Sequence, residues 1–225
     1  MFKRVLALGM ATLMAVSLSS CSLLEPVLEE MDVAVLLEEL LQDKEQLQYD
    51  YGKSLYVSLV NAENIGIQMA KTMYYARIFV EEDADRYPVS SRLPAFADAV
   101  GLSEAEVYNA CVERYQTTDY TTLSNHLATS AGATVVIKQV YENNGTLQKL
   151  EEEMENAEKY MNVLSERFSD YSEYPALEAF YNKVSNFTSY AKSPTGKPEK
   201  IKERLEGYEG DLRERREALE PTFGR

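Results

Sequence analysis

Apolar and small residues recur along this chain at gaps that alternate between three and four. One run reads Leu55, Leu59, Ala62, Gly66, Met69, Met73, Ala76 and Val80. A second reads Leu147, Leu150, Met154, Ala157, Met161, Leu164, Phe168 and Tyr171. A third reads Leu177, Phe180, Val184, Phe187 and Ala191, and a fourth Ile201, Leu205, Tyr208, Leu212 and, after a lapse at Arg215, Leu219. Such spacing places each run on one stripe of a helix. Strands alternate in twos, and no such run lasts. Thr134-Val135-Val136-Ile137 has β-prone residues but no partner strand elsewhere.

The punctuation agrees. Ser103 with Glu106 makes a capping box before Val107. Asn143-Asn144-Gly145 stops a helix, with Thr146 as the next cap. Pro175 suits a first turn, and Ser193 to Pro198 separates two helices. Gly66 sits on its seam, where a small residue lets a neighbour approach. These signals predict helices over 27–48, 54–85, near 94–100, 103–116, 120–142, 146–171, 175–192 and 198–219. The first two are either separate or one helix passing through Tyr49-Asp50-Tyr51-Gly52. Leu127 to Ile137 is small or apolar on every side, which makes 120–142 the most buried helix. Arg86 to Pro94 reads as the longest loop. The expectation is an all-α fold, an elongated antiparallel helical bundle of about six to eight helices. Residues 27–225 form one helical domain, with 86–116 as a candidate helical cap.

The start of the chain reads differently. Lys3 and Arg4 precede an uncharged apolar run, Val5 to Val16, and then small residues, in the order of a secretory signal. The run is shorter than the roughly 20 residues a membrane span needs. Leu18-Ser19-Ser20-Cys21 resembles the lipobox of bacterial lipoproteins. The resemblance implies cleavage before Cys21 and attachment of a diacylglycerol to its sulfur. Residues 1–20 would then be signal peptide and 21–26 the lipidated cysteine and a short tether. Acyl chains hold a protein stably when two or more are present. The implied place is the cell membrane or outer membrane, on the face outside the cytoplasm.

Charge narrows the partners. Lys and Arg number 23 against 37 Asp and Glu, a net charge of −14. Removing Lys3 and Arg4 leaves 21 against 37, or −16. Such a body is repelled by nucleic acid and by anionic headgroups, so its membrane contact should run through the lipid. If Cys21 carries lipid, Cys111 has no intramolecular partner and reads as a small buried hydrophobe.

Candidate chemistry is sparse. The single histidine, His126, has Leu123 three residues before it, so the Glu-x-x-His pair of a di-metal bundle is missing, and it reads as a boundary or core histidine. Glu151, Glu152, Glu153, Glu155 and Glu158 resemble a cation patch. Yet Leu150, Met154 and Ala157 hold the seam of that helix, so the acids dress its solvated faces. No phosphate loop or nucleophile elbow is present, and no catalytic, cofactor-binding or metal residue is assigned. No cofactor is expected.

Of the 16 tyrosines, several lie in or beside seams, at Tyr56, Tyr74, Tyr160, Tyr171, Tyr181 and Tyr208, and others near breaks, at Tyr49, Tyr51, Tyr87, Tyr120 and Tyr174. The expected function is a membrane-anchored, non-catalytic interaction or structural module of the cell envelope. Its partner is an envelope protein or a second copy of itself. A binder of a small apolar ligand, in a cavity beside helix 120–142 with its Gly132 and alanines, is one alternative. An envelope hydrolase using carboxylates is another. An interaction module should expose a charge-poor patch of tyrosines and aliphatics. The first places to look are Tyr87, Pro88, Val89 and Leu93, and then Tyr171 and Tyr174.

Overall fold

A computed structural model describes residues 33–224, with side chains from residue 43 onward. The signal segment, Cys21, the tether and the predicted helix start at residue 27 lie outside the described residues. The chain divides into two units, 1–47 and 48–225. The described part of the first is helical throughout.

Among the described residues all regular structure is helical. The α-helices are α1 (Val33–Ile78), α2 (Val89–Val100), α3 (Glu104–Tyr115), α4 (Tyr120–Leu127), α5 (Ser130–Asn143), α6 (Thr146–Arg167), α7 (Tyr174–Ala191) and α8 (Pro198–Phe223). α1 runs unbroken through Tyr49 to Gly52, the second of the two readings.

From Gln48 on, α1 packs with α6, α7 and α8 in a four-helix bundle. Tyr51 meets Tyr160 and Phe168, while Asn61 donates to Glu153, so α6 runs antiparallel to α1. Tyr49 meets Phe223 and Lys71 pairs with Glu209, so α8 is antiparallel as well. α7 runs parallel to α1, since Tyr56 meets Phe180 and Gly66 meets Phe187. The four seams face one another: Leu55, Leu59, Ala62, Leu150, Ala157, Leu177, Phe180, Val184, Phe187, Ile201, Leu212 and Leu219 are all fully buried. At Gly66 an added Cβ would lie 2.9 Å from a Phe187 ring carbon, so this glycine is what lets α7 approach.

Residues 79–143 join α1 to α6 by a helical cluster, and three sequence expectations are corrected in it. First, the helix expected over 54–85 leaves α geometry at Phe79, passing through a π turn (Phe79–Asp83) and a 3-10 turn (Ala84–Arg86). Across the wider turn the Ala84 amide donates to the Phe79 carbonyl, so Phe79 and Ala84 are both buried while Val80 is half-buried.

Second, the expected loop Arg86 to Pro94 is mostly helix, because α2 starts at Val89 and contains Pro94. Buried Arg92 holds the turn before it: Nε donates to the Ala84 carbonyl at 3.0 Å and Nη2 to that of Tyr87 at 3.4 Å. Third, the expected helix 120–142 is two. Thr129 caps α5 by accepting from the Gly132 amide. A Cβ on Gly132 would lie 2.0 Å from the His126 carbonyl oxygen, so the turn closes only over glycine. The buried half is α5, where Ala133, Val136 and Ile137 are fully enclosed.

The caps mostly follow expectation. Ser103 and Glu106 form both bonds of the capping box. Gly145, at φ 77°, ends the turn after α5, and Asn144 accepts from the Thr146 amide. Thr146 is therefore the first residue of α6 and not its cap.

Candidate functional site

The outer face of α1 is poor in charge, as is that of α7, where Pro175, Glu178, Asn182, Asn186 and Ser189 are the exposed positions. Positions 57, 64, 68, 71 and 75 recur at helical spacing, and all five are exposed. They are Val57, Asn64, Gln68, Lys71 and Tyr75, with Asn61 at the edge. From Ser54 to Ala76 the charged residues are Glu63 and Lys71 alone. Glu63 is buried, and Lys71 Nζ is paired with Glu209 at 2.9 Å. Val57 is 46% and Tyr75 47% exposed, at the two ends of a stripe about 27 Å long at 1.5 Å per residue. Tyr74 packs beside Tyr75 with ring centroids 5.3 Å apart. One turn on, Phe79 stacks on Tyr87, which is 40% exposed.

Sequence reasoning placed the patch elsewhere. Tyr87 and Pro88 are exposed as expected, but Val89 is half-buried and Leu93 fully buried under α2. Tyr171 and Tyr174 are half-buried. Burial pushes the Tyr171 hydroxyl up to about 12. Tyr49, Tyr51 and Tyr120 are half-buried too. The missed signal was an outer stripe of amides and apolar residues at the same period as the seam.

Behind the stripe lies a polar contact. Glu63, 2% exposed, accepts from Arg216 Nη1 at 3.0 Å, while its second oxygen has no partner. Burial raises the Glu63 carboxyl above its ordinary value, Arg216 opposes the rise, and Glu209 adds to it. Glu63 is enclosed between α1 and α8 and does not reach a cleft.

A shallow groove of about 280 Å³ runs between α7 and α8, lined by Lys183, Tyr190, Arg204, Gly207, Tyr208 and Asp211. Tyr190 stacks on Tyr208 at 5.4 Å, and Tyr208 rests on Phe187. Lys183 lies over the Tyr208 ring and pairs with Asp211, which holds that carboxyl below its usual range. Lys183 and Asp211 thus satisfy each other within the groove.

The remaining candidates have structural settings. His126 is half-buried and stacks flat on Tyr115, centroids 3.6 Å apart, at the edge of the cluster. Cys111 is fully buried, and burial pushes its thiol up to about 12, far from a reactive thiolate. Glu151, Glu152, Glu155 and Glu158 are exposed; Glu151 pairs with Lys192 and Glu152 accepts from Gln148. Glu153 accepts from Asn61. No three His, Cys, Asp or Glu side chains converge on a metal-sized point among the described residues. No helix among them is long and apolar enough to cross a membrane.

The class these features define is an all-α helical bundle whose α1 outer face is poor in charge. No known protein family, curated protein or solved structure matches the chain.

Proposed function

We propose that this chain is a lipid-anchored, non-catalytic interaction module of the cell envelope. Its anchor is the diacylglycerol on Cys21, and its place is the outer face of the cell membrane or the outer membrane. The observation that carries the reading is the outer face of α1. A chain of net charge −14 leaves a stripe about 27 Å long with one paired lysine on it. Interfaces differ from ordinary surface chiefly in losing charge and gaining aromatic residues at their centre. The alternatives have less support. Gly132 closes a backbone turn against the His126 carbonyl, and Ala133, Val136 and Ile137 after it are fully buried. A hydrolase would present its carboxylate at a cleft, whereas Glu63 is shut between helices.

Two measurements test the two halves. Labelled fatty acid should enter the parent chain and not Cys21→Ser; equal labelling of both rejects the anchor. A photocrosslinker placed at Gln68 in intact cells should give one discrete protein adduct, lost on Val57→Glu. A smear that Val57→Glu leaves unchanged rejects the module.

A further inference from the structure

We infer that Asn144 is a site of spontaneous covalent modification, in which the Gly145 amide nitrogen attacks the Asn144 side chain and the residue ends as aspartate or isoaspartate. The site is separate from the α1 face and does not depend on the interaction reading. The structure singles out this asparagine. Every other asparagine of the chain lies within an α-helix, where the next amide is tied to the carbonyl four residues back and the next side chain crowds the approach. Asn144 instead ends α5, is exposed, and is the one asparagine followed by glycine. The Gly145 amide donates to the Glu142 carbonyl at 3.3 Å, beyond the usual range for N–H···O. A Cβ at Gly145 would meet nothing within 4 Å, so that flank of the turn is open to water. On the other flank the Thr146 amide donates to Asn144 Oδ1 at 3.1 Å. That bond polarises Cγ and stabilises the charge its oxygen gains under attack.

The bond that forms joins the Gly145 nitrogen to Asn144 Cγ, and the proton on that nitrogen passes to solvent hydroxide. The bond that breaks is Cγ–Nδ2, and its nitrogen leaves as ammonia. Nucleophile and carbonyl belong to adjacent residues, so the ring closes without a bimolecular encounter. Water then opens the five-membered ring. Cleavage between the nitrogen and the side-chain carbonyl gives aspartate, and cleavage between the nitrogen and the main-chain carbonyl gives isoaspartate. One water is consumed and one ammonia released, with nothing oxidised or reduced. The turn itself gates the step. Asn144 has ψ 3°, which turns the Gly145 nitrogen away from Cγ, so closure waits for rotation about that bond. The rotation breaks the long Glu142 bond and moves an exposed residue, which makes it a local opening. The product then puts a carboxylate where an amide stood. Ser103, and after it the Asn144 amide, hold the Glu106 carboxyl below its usual range, so the exchange replaces a donor to Glu106 with a like charge.

The test is peptide mass mapping of the purified, folded full chain, sampled over time at mildly alkaline pH beside a synthetic peptide of residues 140–150. The Asn144 peptide from the folded chain should gain the mass difference of OH over NH2 and split into two isomers. The isoaspartyl isomer should accept methyl groups from an isoaspartate methyltransferase. Because the turn must open first, conversion in the folded chain should run about ten- to a hundredfold slower than in the free peptide. It should still precede conversion at every helical asparagine. Asn144→Gln, whose longer side chain would have to close a six-membered ring, should stay unconverted over the same period. A folded chain whose Asn144 is intact after about two hundred half-times of the free peptide overturns the proposal, because the turn then opens too rarely for the reaction. Earlier conversion at a helical asparagine overturns it as well.

Discussion

The outer faces of α1 and α8 belong to the same bundle, rest on the same core, and have opposite chemistry. α8 follows its apolar seam with charge at nearly every exposed position, paired along the helix as Lys200 with Glu203 and Lys202 with Glu206. α1 follows an equally regular seam with Val57, Asn64, Gln68 and Tyr75. Both inner faces are filled to the same degree, so folding does not require the difference. Exposed ion pairs add little stability, typically under about 1 kcal/mol. What they supply is solubility and rejection of neighbours. A helix that omits them gives up that protection along one line, and this omission is the observation behind the proposed interaction face.

The largest effect is expected where a charge of α8 turns inward toward α1. Arg216→Ala leaves the Glu63 carboxylate buried without its cation, and should cost about 3 kcal/mol near neutral pH. Arg215→Ala, exposed on the same helix, should stay within about 0.5 kcal/mol. The pH dependence has a definite sign. The Glu63 carboxyl is already raised in the folded chain, and losing Arg216 raises it further. A raised carboxyl favours the folded state when protonated. Its contribution is therefore fully present below the unfolded value and lost as pH rises through the folded one. The gap between Arg216→Ala and the parent, read by urea unfolding, should narrow as pH falls toward about 4.5, the ordinary glutamate range. A gap that widens on acidification would contradict the geometry of Glu63.

A smaller effect concerns the inner side of α1. Gly66→Ala adds a Cβ 2.9 Å from the Phe187 ring, which is fully buried and packed against Tyr208. Alanine favours the helix by about 1 kcal/mol, while overpacking costs about 1–3 kcal/mol. The net should be a loss of about 1 kcal/mol in the same unfolding experiment. A gain would mean that the Phe187 ring yields and that α7 does not depend on this glycine.

What could be read from the sequence was the inside. The four seams predicted which residues are buried nearly one for one, because period is a local property and the bundle needs only that its helices bury their stripes. The failures were at positions where a single tertiary contact decides. Leu127 to Ile137 looked like one helix because nothing charged interrupts it, yet Thr129 caps a new helix there and the backbone folds over Gly132. Pro94 looked like a loop residue, yet α2 runs through it and Arg92 is turned inward to hold the preceding turn. The candidate face was legible in principle, since Val57, Asn64, Gln68 and Tyr75 share the helical period. It was passed over because tyrosines at breaks were weighed as single residues, and exposure of a stripe is clear only once the neighbours of α1 are known. Cys21 rests on its own local motif, outside the described residues.

The smallest effect reverses the sign found at Gly66. Gly207 lies within α8 on its exposed side, and an added Cβ there meets nothing within 4 Å. Its φ lies outside the left-handed region, so alanine adopts the same backbone without strain. The substitution removes unfolded-chain freedom and adds helix propensity, together about 0.5–1 kcal/mol of stabilisation. For a chain of this length that is a rise of about 1–4 °C in Tm, read by circular dichroism at 222 nm. Gly66→Ala and Gly207→Ala thus exchange the same residues in the middle of two helices of one bundle. Opposite signs are expected because one points at Phe187 and the other at solvent. If Gly207→Ala lowers Tm instead, the outer face of α8 is covered in the folded protein, and the contrast with α1 fails at its charged side.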